Sequence, residues 1–292
     1  MKIANNAKVP LIKEYRIDKL KKCLECIDKY AFKRDKQKEC ILSLYPNKKG
    51  KSLEHREKSI FRGMVIPSLR YLGLILGDAD SIRASANGKL IIESQYIDKT
   101  LHQQVLRAVI YEMDKNVFHF IDIIKNSTFL KREQIISNLC DRINALSERQ
   151  KRERVNKWLS ILEQVELIAC SSQKMYINNE NYYQTIKDVD VKLKNIEIFE
   201  KCFFDAYFNL SKAAAGVVDI VDLREKVSMK MLKQHKLILT ENQFDDMLRQ
   251  LLFQIDNYVI SLGKPMGARE KLFEYKGNYF KTIIVDVTKK GG

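Results

Sequence analysis

Leu53-Glu54-His55-Arg56-Glu57-Lys58, leading to Ile66-Pro67-Ser68-Leu69-Arg70-Tyr71-Leu72-Gly73-Leu74-Ile75, lies without a gap on a second stretch of the same chain. That stretch is Leu146-Ser147-Glu148-Arg149-Gln150-Lys151, leading to Leu159-Ser160-Ile161-Leu162-Glu163-Gln164-Val165-Glu166-Leu167-Ile168. Leu53, Arg56, Lys58, Leu69, Leu74 and Ile75 meet the identical residues Leu146, Arg149, Lys151, Leu162, Leu167 and Ile168. Each copy starts basic and turns apolar at helical spacing, which predicts an amphipathic helix running into a short strand. A segment repeated inside one chain predicts that the unit around it is repeated as well.

The residues after each helix decide between stacked helical hairpins and a helix with a β-hairpin. After Ile75 come Gly77, Asp78 and Asp80, then Ala86-Asn87-Gly88 and Leu90-Ile91-Ile92. The Asn-Gly pair predicts a tight hairpin turn, and the branched residues after it predict a strand. After Ile168 the chain runs Ala169-Cys170-Ser171-Ser172-Gln173-Lys174 into Met175-Tyr176-Ile177, again a turn and then a strand. A helical solenoid has no use for such hairpins. The expected fold class is therefore mainly α with small β-hairpin wings (α+β), organised as tandem winged-helix domains.

A third, diverged copy is expected in the last third. Phe199, Cys202, Phe203, Ala206, Tyr207 and Leu210 give 196–210 a core-facing helical stripe. A helix comes next at 221–232, and Thr240 is placed to cap another at 241–255 through its hydroxyl. Residues 258–262 and 279–285 read as two strands, the second introduced by the turn signal Lys276-Gly277-Asn278. The expected domains are 1–95, a basic winged helix; 96–185, a connecting helix from Tyr96 to Ile124 with a second winged helix; and 186–292, the diverged third. Leu101, Val105, Ala108, Val109 and Met113 form an apolar seam in the connecting helix that runs on to Phe118-His119-Phe120, and Trp158 is expected in the core.

The chain has 292 residues and a net charge of +15, and residues 1–75 hold 19 Lys and Arg against 8 Asp and Glu. So uneven a distribution points to a polyanionic partner. No apolar run approaches a membrane span, and the first residues lack the apolar core of a secretory signal; a soluble cytoplasmic protein without membrane contact is expected. The residues expected to meet double-stranded DNA are Lys33, Arg34, Lys48, Lys49, Lys51, Arg56, Lys58 and Arg62 in the first copy. Arg149, Lys151, Arg152, Arg154 and Lys157 are their counterparts in the second. In the third, Glu241, Asp245 and Asp246 face only Arg249, so that helix would repel a phosphate backbone and is expected to support the fold or meet a protein.

Catalytic patterns are absent from the sequence. His55, His102, His119 and His235 have no paired metal spacing, and Gly263-Lys264 lacks the rest of a phosphate-binding loop. Asp222, Glu225 and Lys226 are the nearest approach to a nuclease cluster, but they fall on an expected helix. Neither an enzyme nor a cofactor is expected. Cys23, Cys26, Cys40 and His55 could be read as four zinc ligands, but Cys23 and Cys26 lie one helical turn apart beside Leu20 and Ile27, where they would face a core. Cys140, Cys170 and Cys202 read as buried reduced thiols.

The phrase 61–75, followed by Arg83-Ala84-Ser85-Ala86-Asn87-Gly88-Lys89-Leu90, resembles the helix and wing of winged-helix proteins found in prokaryotic restriction and anti-phage systems. The tandem arrangement is also similar to kleisin-associated subunits of SMC-type ATPase complexes, including defence versions such as Lamassu. The resemblance implies a DNA-binding, non-catalytic accessory subunit whose partners are an SMC-like ATPase and a nuclease. A stand-alone sequence-specific regulator or plasmid replication initiator is the alternative expectation.

Overall fold

The computed structural model describes residues 11–47, 50–78, 80–113, 115–126, 131–141, 143, 146–171, 174–252, 258–265 and 270–287. In chain order the first elements are α1 (Ile17–Lys29), α2 (Arg34–Ser43), α3 (Leu53–Arg56), a π-helical stretch (Glu57–Val65) and α4 (Ile66–Tyr71). Strands β1 (Ile75–Leu76) and β2 (Arg83–Ala84) follow, then helices α5 (Ala86–Ser94), α6 (Lys99–Met113), α7 (Lys115–Lys125), α8 (Arg132–Cys140) and α9 (Glu148–Gln164). Next are β3 (Ile168–Ser171), β4 (Lys174–Ile177), α10 (Asn179–Val189), a 3-10 turn (Val191–Leu193), α11 (Ile196–Ser211), β5 (Val218–Asp219), α12 (Ile220–His235) and α13 (Glu241–Leu251). The last strands are β6 (Tyr258–Gly263), β7 (Phe273–Tyr275), β8 (Asn278–Phe280) and β9 (Thr282–Val287). The protein is mainly helical with small antiparallel sheets, an α+β architecture. Its contacts divide into two units, Met1–Arg83 with Gln103–Ile186, and Ala84–His102 with Lys187–Gly292.

In the first unit one order of elements occurs twice: two helices, a third helical segment, then a two-stranded pairing. Ser52 caps the first of these third segments by accepting from the His55 amide, and Ser147 caps the second by accepting from Gln150. The ends match more closely still. The Leu72, Gly73 and Leu74 amides donate to Ser68, Arg70 and Leu69, and those of Val165, Glu166 and Leu167 to Ile161, Glu163 and Leu162. Gly73 and Glu166 have φ of 63° and 60°. A left-handed residue just past the helix closes its free carbonyls and redirects the chain into the strand. Glycine takes that conformation freely, whereas a glutamate takes it at a steric cost.

The two third segments differ in their middles. The first, at 53–71, is two residues longer than α9 yet starts and ends at equivalent caps. Its π-helical turns, which hold more residues than an α turn, take up the difference. Pro67 explains their location: it has no amide to offer the Gly63 carbonyl, and in an α turn its ring would strike that oxygen. Gly63 lets the wide turn form, since a Cβ there would lie 2.8 Å from the Lys58 carbonyl oxygen. The gapless match in sequence is thus a true structural match only over the later turns, where Val65, Ser68, Leu69, Leu72, Leu74 and Ile75 are buried like Trp158, Ile161, Leu162, Val165, Leu167 and Ile168.

Trp158 sits in the core as expected, 2% exposed, with Tyr71 at 6.1 Å and Phe120 at 6.5 Å meeting it edge-on. A polar network ties the chain entering α1 to the helices beside it. Glu14, 1% exposed, accepts from Tyr45 Oη at 2.7 Å and from Arg16 Nε and Nη2 at 2.8 and 2.6 Å, while its amide donates to Ser68 Oγ. Burial pushes this carboxyl up, but the hydrogen bonds from Arg16 and Tyr45 outweigh it and leave the group below its ordinary 4.5.

Two expectations are corrected in the segment after the first pairing. Ala86-Asn87-Gly88 is no hairpin turn and Leu90-Ile91-Ile92 no strand: both belong to α5, because Ser85 Oγ accepts from the Gly88 amide and starts a helix there. The hairpin actually turns earlier, near Gly77 and Ser81, and its strands are only two residues each. The expected connecting helix is helical over Lys99–Met113 and Lys115–Lys125, with residue 114 outside the described residues. The side chains of Phe118 and His119 also lie outside them.

The second unit builds a three-stranded antiparallel sheet in the order β5-β9-β6 beside α11, α12 and α13. Phe199, Phe203, Leu223, Phe244, Leu248 and Phe273 centre its core, and α5 packs against α12. Lys236, at φ 57°, stops α12, and Thr240 exchanges a capping box with Gln243 to begin α13, as its position predicts. The second expected strand is divided: Lys281 separates β8 from β9, and β8 pairs instead with β7 across Lys276-Gly277. Tyr207 Oη accepts from the Val285 amide at 2.9 Å and donates to the Gly216 carbonyl at 2.7 Å, joining α11 to β9.

Arg224, 3% exposed, grips both oxygens of Asp245 at 2.7 and 2.8 Å and donates to the Lys271 carbonyl at 2.6 Å. Burial holds the Asp245 carboxyl above its ordinary range despite that cation. Replacing Arg224 by Ala is expected to destabilise the protein by about 3–5 kcal/mol in urea denaturation, since one partner of a buried pair is stranded. A cost under about 1 kcal/mol would show that the pair contributes little. Glu14 gives a second test. Because its folded pKa is depressed, its contribution is full above pH 4.5 and is lost as pH falls through the folded value. Glu14→Gln is therefore expected to lower stability near neutrality and to flatten its decline in acid; an unchanged acid slope would contradict this.

Candidate nucleic-acid interface

Arg56, Lys58 and Arg62 lie on the first of the third helical segments and Arg149, Lys151, Arg152, Arg154 and Lys157 on α9, with different local partners, whereas Lys33 and Arg34 lie at the start of α2 and Lys51 just before the Ser52 cap. Arg56 points inward. Its Nη2 donates to the Leu42 and Tyr45 carbonyls at 2.7 and 2.5 Å, satisfying the C-terminal end of α2. No feature of the sequence separated this arginine from its neighbours. Its gapless counterpart Arg149 is exposed, because the π-helical turns rotate the earlier part of the first segment relative to α9.

Several other cations are matched to carboxylates. Glu57 draws Arg62 at 2.7 Å, Lys38 at 3.5 Å and Arg34 at 3.8 Å, and Arg34 also pairs with Asp80. The Arg62 hydrogen bond is the main cause that holds the Glu57 carboxyl below its ordinary value. On α9, Lys151 meets Glu148 at 2.7 Å, Arg152 meets Glu133 at 2.9 Å and Lys157 meets Glu153 at 2.6 Å. Lys157 also lies 5.9 Å from the Tyr15 ring. Arg154 is half-buried and engaged within the protein.

Lys33, Lys51, Lys58 and Arg149 remain exposed without an ion pair among the described residues. Lys51 Nζ is 3.1 Å from His55 Nε2. Lys48 and Lys49 lie outside the described residues. The third helix of the second unit differs, as its composition predicts: Asp245 holds Arg224, Glu241 holds Lys271 and Asp246 holds Arg249. Its acids are therefore structural partners of local cations.

The cysteines take a course the sequence did not disclose. Cys26 and Cys40, 14 residues apart, form a disulfide between α1 and α2. Two of the side chains considered as zinc ligands are thus joined to each other. Cys23 is buried with its sulfur 3.7 Å from Tyr45 Oη, and burial pushes its thiol up to about 11. Cys140 and Cys202 are buried as expected, whereas Cys170 is exposed on β3, beside Arg132 and Glu163. Among the described residues, no group of three or more His, Cys, Asp or Glu is placed to hold a metal ion, and no helix is long and apolar enough to cross a membrane.

Searches against protein families, curated proteins and solved structures find no match to this chain.

The different surroundings of Arg56 and Lys58 separate their roles. Arg56→Ala is expected to lower stability by about 2 kcal/mol, because two carbonyls lose a charged donor. Lys58→Ala should stay within about 0.5 kcal/mol of the wild type in the same urea titration. Equal effects would contradict the inward role of Arg56.

Proposed function

We propose that the chain is a DNA-binding protein of tandem winged-helix design with no catalytic step of its own. The observation that carries this reading is the duplicated helical frame, Ser52 to Leu74 and Ser147 to Leu167, in a unit whose residues 1–75 hold 19 Lys and Arg against 8 Asp and Glu. The element order supports it: three helical segments and a hairpin occur twice, and α11-β5-α12-α13-β6-β9 has the helices and paired strands of a helix-turn-helix with a wing. In such a unit the third helix enters the major groove and the hairpin tracks the neighbouring backbone.

Lys33, Lys51, Lys58 and Arg149 are the first phosphate contacts in this proposal. Arg62, Lys151 and Arg152 join them by exchanging a surface carboxylate for a phosphate. Such an exchange costs little, since exposed ion pairs are worth about 0–1 kcal/mol. Arg56 is not included, because its work is inside the protein. With its acidic third helix, the second unit is proposed to meet a protein, which makes the chain an accessory subunit alongside an ATPase or nuclease.

Anisotropy of a labelled duplex across a salt series tests the DNA half of the proposal. Affinity is expected to fall steeply with salt, and the double variant Lys51→Ala/Lys58→Ala to reduce the log–log slope by about two units. Binding that ignores salt, or a slope unchanged in the variant, would remove this helix from the interface.

A further inference from the structure

The turn between α1 and α2 carries Phe32, whose backbone φ is 63° and whose side chain is 62% exposed. Both properties oppose stability. A bulky L-residue is strained in the left-handed region, where glycine would sit freely, and a phenyl ring has no polar tip to satisfy water. The surroundings fix the turn in place. The Phe32 amide donates to the Ile82 carbonyl at 3.2 Å, and the fully buried Gln37 donates its Nε2 to that same oxygen at 2.8 Å. The Lys33 amide closes on Tyr30 O at 2.9 Å. Ile82 directly precedes β2, so the ring is anchored at the base of the first hairpin.

Other exposed aromatic residues differ from it. Tyr96, Tyr183 and Tyr279 carry a hydroxyl into water, and Phe208 lies against Phe204 with ring centres 6.1 Å apart. Phe32 has no ring partner among the described residues. It is flanked by the exposed cations Lys29, Lys33 and Lys36; of the acids on the same turn, Asp35 is held by Lys38 and Asp28 is engaged within the protein. An exposed ring with no ring partner among the described residues, on a turn that carries three exposed lysines, fits a ligand that has both a flat π face and negative charge.

We propose that Phe32 is a stacking wedge for an unpaired nucleic-acid base, with Lys29, Lys33 and Lys36 holding the flanking phosphates. The proposal rests on the DNA-binding reading and deepens it, because it names a structural feature of the preferred DNA. In a fully paired duplex the base faces are covered by their neighbours. At a bulge or junction one face is open, and the ring covers it without opening a stack.

The test uses the full chain and two short duplexes of one sequence, one fully paired and one with a single unpaired fluorescent purine analogue. The wild type is expected to bind the bulged duplex about tenfold more tightly than the paired one and to quench the analogue. Phe32→Ala and Phe32→Gly should lose both the preference and the quenching while still binding the paired duplex; Phe32→Tyr should keep them. Phe32→Gly should melt no lower than the wild type, since it relieves the backbone strain, and so a loss of preference in that variant is not a loss of folding. Equal wild-type affinity for the two duplexes, or a preference that survives in Phe32→Ala, overturns the wedge and leaves the DNA-binding reading standing. A wild type that binds neither duplex overturns both.

Discussion

A helix that must pass its chain to a strand within three residues needs a backbone that reverses hand at its end. In the first unit that demand is met twice by the same device: a left-handed residue at Gly73 and Glu166, followed by a buried leucine whose amide reaches back to the last turn. The rest of the repeated unit depends on it. The stop places Ile75 and Ile168 at the starts of their strands, and with the serine caps at the other end it fixes which turns of the third segment are displayed. Glutamate at the second position indicates that geometry, rather than residue type, is what the two copies share. Lys236 closes α12 of the second unit in the same left-handed conformation.

The parts of this architecture that were legible in the sequence are those governed by local chemistry. The later turns of the duplicated segment, the stripe on α11, the Thr240 cap and the Lys276-Gly277 turn depend on neighbours a few residues away, and all are found where the pattern put them. Asn87-Gly88 misleads because the same pair is tolerated in the first turn of a helix, and Ser85 supplies the cap that selects it. The π-helical turns are hidden for a different reason. A gapless alignment assumes a constant number of residues per turn, and Pro67 with Gly63 breaks that assumption. The Cys26–Cys40 pairing and the Glu14 network involve residues far apart in sequence, where spacing carries no information.

The charged residues show the same division. Composition located the basic region correctly as a property of the chain, but it could not distinguish cations that build the protein from cations that face outward. Arg56 and Arg224 are structural, tying carbonyls and a buried carboxylate. Lys33, Lys51, Lys58 and Arg149 have no such duty among the described residues. Between these limits stand Arg62, Lys151 and Arg152, whose carboxylate partners can give way to a phosphate at small cost. Phe32 escaped notice because a single phenylalanine in a polar turn reads as an ordinary loop residue until its backbone conformation is known.

In the proposed complex the exposed cations on the early turns of both third segments meet a phosphate backbone, while the acidic third helix of the second unit does not. Hydrogen–deuterium exchange of the full chain, with and without a short duplex, addresses it directly. The account predicts slower exchange on DNA addition at residues 52–62 and 147–157, with α13 unchanged. Slowing centred on α13, or no change at either third helix, would contradict it.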